Sequence, residues 1–299
     1  MQTQAISPRA FVMLLLLASM FGANHVAARV ALDHGVDVAT AVAVRSLATA
    51  AVVGVIVALY RVPLMLTPRH RKVMPLIGLL VAVQSLCLYS SVARIPVGLA
   101  LLAFNTYPLW TAVAAWALYR HQPERAILIA MPVILFGLAL ALDVTGLASG
   151  LGAKAQWGRI GAGVGFALVA GATFGLVLAL TQHEVADLDG RLRTTLTMGI
   201  VGLLALLGSF TQGGLHWPDA VAGWWGLAAL TLLYGTAFTI MFTLLPKLGV
   251  VGSSPILNVE PVAALALAWL LLGQSVSAIQ GLGALLVVGA VMALGLRRR

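Results

Sequence analysis

The chain has 299 residues, 61% of them hydrophobic and only 9% charged, with a formal net charge of +9 and a mean hydropathy of +1.02. A soluble globule has too little polar surface in such a composition to cover itself, so the chain reads as an all-α membrane protein with several spans. The apolar runs are continuous rather than alternating, which excludes a β-barrel, and most Lys and Arg sit in short gaps between those runs, where they set topology and do not bind nucleic acid.

The first apolar stretch follows Arg9 and runs on towards Ala31, too long for the core of a secretory signal, and it is read as a retained first helix. A span needs about 20 residues of helix. On that measure ten segments follow in order, at 10–31, 37–60, 73–93, 96–119, 126–143, 159–181, 193–210, 222–246, 251–272 and 276–296. The gaps carry helix breakers, among them Asp33 with Gly35, Pro63 with Pro68, Pro96, Pro123, Gly213 with Gly214, Pro246 and Gly273. The single cysteine, Cys87, lies inside the third segment, so neither an intrachain disulfide nor a thiolate zinc site is available. No cofactor or metal is expected.

A pattern recurs along this series. Residues 105–116 read NTYPLWTAVAAW and residues 258–269 read NVEPVAALALAW, an offset of 153. The same offset places Phe21-Gly22 on Phe174-Gly175, and an offset of 152 places Gln122 and Gly137 on Gln274 and Gly289. Such a common register argues for a duplicated five-helix unit: a first repeat over 1–143, a linker over 144–158 and a second repeat over 159–299. An odd number of helices per unit inverts the second copy, the architecture of secondary transporters. The expected fold is ten transmembrane helices as two inverted five-helix repeats.

With these features the chain resembles the EamA branch of the drug/metabolite transporter superfamily. The likeness rests on the entry at Pro96, the Asn-x-x-Pro cores at Asn105 and Asn258, and the Trp-led helix ends at Trp116 and Trp269. The common Gly-Glu ending is replaced by Arg120-His121 and by Gly273-Gln274. Within the branch the chain is most similar to the YddG-type amino-acid exporters of bacterial inner membranes. That resemblance implies a central cavity walled by helices one, three, four, six, eight and nine. It also implies export of amino acids, aromatic ones included, by alternating access. Efflux of organic cations or other small metabolites is the alternative within the class, and a passive pore the alternative outside it.

Polar groups inside the spans mark a substrate path, because each costs free energy unless it meets a partner or water. Glu260 is the sharpest, nine residues into its segment and so about 14 Å deep. It is read as a cavity carboxylate for a substrate ammonium or a proton, against a structural pair with Arg45 or His25. Tyr107 is its counterpart in the first repeat. The remaining candidates for substrate contact are Asn24, His25, Gln84, Asn105, Trp110 and Tyr234. Asn105 and Asn258 have a competing role, bonding backbone freed by the prolines three residues on. Arg45 is expected to snorkel or to form a structural ion pair, with binding of a substrate carboxylate as the alternative. Glycines at 161, 165, 171 and 175 suit close helix packing. G-x-S-x-G, H-E-x-x-H and phosphate-loop motifs are absent, so the chain is read as no enzyme and no ATP-driven pump. Amino acids and membrane lipid are the expected partners, with no oligomeric partner required.

Orientation follows from the basic residues. With the N-terminus inside, thirteen Lys and Arg fall in cytoplasmic gaps or tails and four (Arg29, Arg94, Lys154 and Arg159) fall outside, leaving Arg45 within a span. Both termini are therefore predicted to be cytoplasmic. With Cys87 replaced by Ser, cysteines introduced at Gln2 and Arg299 should react with an impermeant reagent only from the cytoplasmic side; labelling of either from outside would refute the ten-helix topology.

Overall fold

The lengths of the apolar runs and the chemistry of the turns between them divide the chain into helices. The computed structural model describes residues 8–122, 125–147, 149–243, 260–274 and 277–297, and these hold eleven helices and no strand. They are α1 Pro8–Asp33, α2 Val38–Leu59, α3 Pro68–Arg94, α4 Val97–Phe104, α5 Tyr107–Tyr119, α6 Arg125–Ala141, α7 Ala153–Glu184, α8 Gly190–Phe210, α9 Val221–Thr243, α10 Glu260–Leu272 and α11 Ala278–Arg297. Seven spans are long and apolar enough to cross a membrane, with α4 and α5 counted as one span, Val97–Tyr119. Three shorter apolar helices, within α6, α10 and α11, join them.

Helix starts obey local chemistry. Asp37 caps α2 by accepting from the Thr40 N–H at 2.9 Å. Thr67 caps α3 in a reciprocal box, its hydroxyl accepting from the His70 N–H at 3.2 Å while its own N–H donates to His70 Nδ1 at 3.4 Å. At α7 the helix begins at Ala153, inside the stretch expected to be linker. Ala153, Lys154 and Ala155 are good helix formers, and buried Gln156 ties this first turn to the Leu142 carbonyl at 3.1 Å.

The fourth predicted segment is broken into α4 and α5. Pro108 has no N–H to continue the ladder, and the Asn105 side chain instead donates to the Leu101 carbonyl at 2.9 Å while Thr106 Oγ1 donates to Ala103 at 2.9 Å. The Leu101 carbonyl also accepts the Asn105 backbone N–H at 2.9 Å, so the Asn105 side chain adds a second bond to a carbonyl already met and does not serve backbone freed by Pro108. Its counterpart Asn258, with Pro246, Lys247 and the beginning of the ninth predicted segment, lies outside the described residues. The break has a price in burial: every residue of α4 is buried, which places it at the centre of the bundle.

The main packing pairs each join a helix from before residue 143 to one from after residue 152. They are α1 with α9 and α10, α2 with α8 and α9, α3 with α7 and α8, α5 with α7, α4 with α10, and α6 with α11. Small residues permit this approach. A Cβ at Gly22 would stand 2.9 Å from the Ala264 nitrogen of α10, and one at Gly175 would stand 2.7 Å from the Thr111 nitrogen of α5. Both glycines therefore press one helix against the backbone of another. Large apolar side chains such as Leu128, Phe136, Leu207 and Leu285 face outward, as they do against lipid.

Because backbone cannot give way as a side chain can, Gly22→Val should destabilise the bundle by about 1 to 3 kcal/mol. The check is thermal unfolding in detergent, against Gly165→Ala at a position with nothing within 4 Å. An unchanged midpoint for Gly22→Val would show that α1 and α10 do not meet this closely.

Candidate functional site

The polar residues of the apolar interior converge where α1, α2, α3, α9 and α10 meet. Asn24 and His25 come from α1, Arg45 from α2, Gln84, Ser85 and Tyr89 from α3, Tyr234 from α9 and Glu260 from the first described turn of α10. All but Glu260 are buried. Glu260 is partly open, its side chain 25% exposed, and its Oε1 lies 3.2 Å from His25 Nε2. The pairing of Glu260 with His25 is thus observed, and the partial exposure leaves the carboxylate accessible to a second partner.

Arg45 departs from expectation. It neither snorkels nor forms an ion pair: it is 3% exposed, and among the described residues no carboxylate approaches it within ion-pairing distance. Its Nη1 donates to the Tyr89 hydroxyl at 3.2 Å and its Nη2 to Ser85 Oγ at 2.9 Å. The guanidinium also lies over two rings, 4.7 Å from the centroid of Tyr89 and 3.9 Å from that of Tyr234. The magnitudes explain why a cation is held there. Insertion of Arg at mid-span costs roughly 2.5 to 3.5 kcal/mol. Interhelical hydrogen bonds at about 0.6 kcal/mol each and ring contacts at about 1 kcal/mol each together match that cost.

Tyr89 connects the two poles of the site. Its hydroxyl accepts from Arg45 and from Asn24 Nδ2 at 3.2 Å, and its ring lies 5.9 Å from that of His25. Gln84 Oε1 accepts from Ser85 at 3.2 Å, which extends the network along α3. On the far side Phe21 and Phe238 pack edge to face at 5.6 Å, and Tyr234 lies 4.4 Å from Phe238, forming an aromatic wall.

Five of the candidates read from the sequence therefore share this cluster: Asn24, His25, Gln84, Tyr234 and Glu260. Asn105, Tyr107 and Trp110 form a separate group at the α4–α5 break. There the Tyr107 ring meets Phe104 at 5.6 Å and Phe174 of α7 at 5.2 Å, and the Trp110 indole donates to Thr106 Oγ1 at 3.3 Å while remaining 40% exposed. Sequence reading missed Ser85 and Tyr89. Their spacing of four puts both on one helical face, and that polar pair within an apolar span was the available signal.

Two further features flank the cluster. At one end of the bundle a cleft of about 630 Å³ opens between α1, α2 and α3, lined among others by Asp37, Ala39, Leu86, Ser90 and Arg94. At the other end the first half of the chain is tied to the second. Arg69 pairs with Glu184 at 2.6 Å and also donates to the His183 carbonyl, Tyr119 donates to Glu184 at 2.7 Å, and His70 Nε2 meets Asp187 Oδ1 at 3.1 Å. The hydrogen bond to His70 holds the Asp187 carboxyl below its ordinary range. The Tyr119 ring stacks on His183 at 3.9 Å.

A model of the EamA-like transporter family matches two stretches of the chain, residues 8–142 and 161–296. The chain belongs to the EamA-like transporter family. It is accordingly a multi-pass membrane protein of a family that transports small molecules. The EamA-like chain is also similar to a solved crystal structure described only as that of a protein. The TM-score is 0.62 and the identity 17%, over 96% of this chain and 98% of that one, which is a likeness of fold. No curated protein matches it.

Aromatic contacts are worth about 0.5 to 1.5 kcal/mol beyond their area. If Tyr107 and Trp110 wall the substrate path, Ala at either position should slow phenylalanine transport several-fold more than threonine transport in proteoliposomes. Equal losses for both solutes in a folded protein would assign the rings to packing.

Proposed function

We propose that the chain exports amino acids, aromatic ones included, across a bacterial inner membrane by alternating access of two inverted five-helix repeats, with both termini cytoplasmic. The observation that carries the reading is the His25–Glu260 contact: a partly exposed carboxylate set among apolar helices where α1 meets α10. Glu260 takes the substrate ammonium, Asn24 and Gln84 supply polar contacts beside it, and the rings of Phe21, Tyr234 and Phe238 suit an apolar side chain. This reading gives the carboxylate a role that the pairing with His25 alone leaves unfilled.

The packing supports the repeat. Counting α4 and α5 as one span and exchanging each helix with its counterpart, α1 on α9 becomes α7 on α3, α5 on α7 becomes α10 on α1, and α2 on α9 becomes α8 on α3; α2 on α8 and α6 on α11 map onto themselves. Every one of these contacts is present. Gly22 against Ala264 likewise becomes Gly175 against Thr111. Such an exchange is what two halves that trade conformations require. The cleft beside Asp37 and Arg94 is read as the extracellular mouth, and the Arg69–Glu184 and His70–Asp187 ties as the closed cytoplasmic end.

A charge-assisted contact is worth about 1.5 to 3 kcal/mol, so Glu260→Gln should lower counterflow of labelled phenylalanine in liposomes roughly 10- to 100-fold, with the protein still monodisperse in detergent. If Glu260 instead carries a coupling proton, substrate exchange should persist and only the response to an imposed pH gradient should vanish. Undiminished counterflow and pH response in Glu260→Gln would remove the residue from the mechanism.

A further inference from the structure

Glu260 and His25 suit an ammonium but leave unexplained the strongest charge in the cluster. Arg45 is enclosed, touches Tyr89 as His25 does, and meets no carboxylate among the described residues. Its fork is only partly spent. The hydrogen bonds of the described residues use one N–H on Nη1 and one on Nη2, and Nε, which is inaccessible to solvent, has no partner. A guanidinium carries five N–H donors in a plane that matches a carboxylate two at a time.

A purely bracing role between α2 and α3 does not account for this. A neutral Gln or Asn could donate to Ser85 or Tyr89 without bringing a charge into the bundle. What the neutral donor lacks is an unspent planar face and a positive charge, and those are the attributes an oxyanion would use. The surroundings also fix the plane: Tyr234 and Tyr89 bracket the guanidinium, and Ser85 holds Nη2, so the fork is oriented before a ligand arrives. The cleft lies on the approach to it along α2. Ala39 lines it, and Arg45 stands six residues further along α2, about 9 Å down the helix axis.

We propose that Arg45 binds the carboxylate of the transported solute, with Tyr89 and Ser85 as its positioning residues. The substrates are then amines that also bear a carboxylate, not organic cations at large. The inference rests on the cluster being the transport site. Arg45 takes the carboxylate, and His25 with Glu260 receives the ammonium beside it.

Phenylalanine and phenethylamine differ by the carboxylate alone, which makes their transport ratio the readout. In proteoliposomes the wild-type protein should move phenylalanine at least ~10-fold faster than phenethylamine, a preference of about 1.4 kcal/mol. Arg45→Gln should lower that ratio at least ~10-fold, and Arg45→Lys, which keeps the charge and loses the fork, should lower it less. Glu260→Gln should slow both solutes and leave the ratio near its wild-type value, which separates the two poles. Tyr89→Phe, which removes the hydroxyl bonded to Nη1, should lower the ratio in the same direction as Arg45→Lys. A folded Arg45→Gln protein with the wild-type ratio overturns the proposal. Should Arg45→Gln not fold, unaltered ratios in both Arg45→Lys and Tyr89→Phe overturn it equally. Wild-type protein that moves the two solutes at the same rate defeats the carboxylate assignment while the transport reading stands; wild-type protein that moves neither defeats the amino-acid reading, and the assignment falls with it.

Discussion

A charge inside an apolar bundle has to be met there, and the interior of this protein is organised by that requirement. Arg45 is closed off from the surface and Glu260 is only partly open to it, so helices that are apolar almost everywhere else turn their few polar side chains towards one another. The outcome is a single connected network in which Arg45 leans on two hydroxyls and two rings while Glu260 leans on an imidazole. The helices that contribute to it come from both halves of the chain. The polar network therefore lies on the seam along which the halves meet, and a conformational change at that seam alters the environment of every group in it.

The two charges are compensated differently, and the difference matters chemically. Glu260 has one imidazole partner and some exposure, so a second partner can reach it. Arg45 is surrounded by neutral groups that hold its position and leave its charge in place. Such an arrangement is close to balanced without a ligand and gains when an anion arrives. A transporter needs that kind of balance, since a site too well satisfied when empty binds nothing and one too poorly satisfied does not fold.

Much of this fold was legible in the sequence because hydropathy and turn chemistry act locally. Each of the ten predicted segments meets a described helix, the ninth from residue 260 onward, seven spans are long and apolar enough to cross a membrane, and the Asn-x-x-Pro element at Asn105 coincides with the break between α4 and α5. The early start of α7 was not legible, because it depends on Gln156 finding the Leu142 carbonyl, a contact between segments that no window reveals. For the site, residue type drew attention to Glu260, His25 and Asn24 one at a time. It gave no way to know that Arg45 is enclosed by Tyr89 and Tyr234, since burial is decided by neighbours from other helices. Tyr107 and Trp110 illustrate the converse: the repeat relates Tyr107 to Glu260, yet the two copies hold different company, one aromatic and one ionic.

The close approaches at Gly22 and Gly175 have a mechanical meaning. At each, a helix from one half runs close against the main chain of the other, with only the Cβ of Ala263 or of Trp110 as near. Interlocked side chains act as teeth, and turning one helix past another then requires each tooth to change rotamer. A contact with so few teeth is closer to a smooth bearing, and the 153-residue offset that relates Gly22 to Gly175 also relates Ala264 to Thr111, so the chain carries two such contacts of one kind.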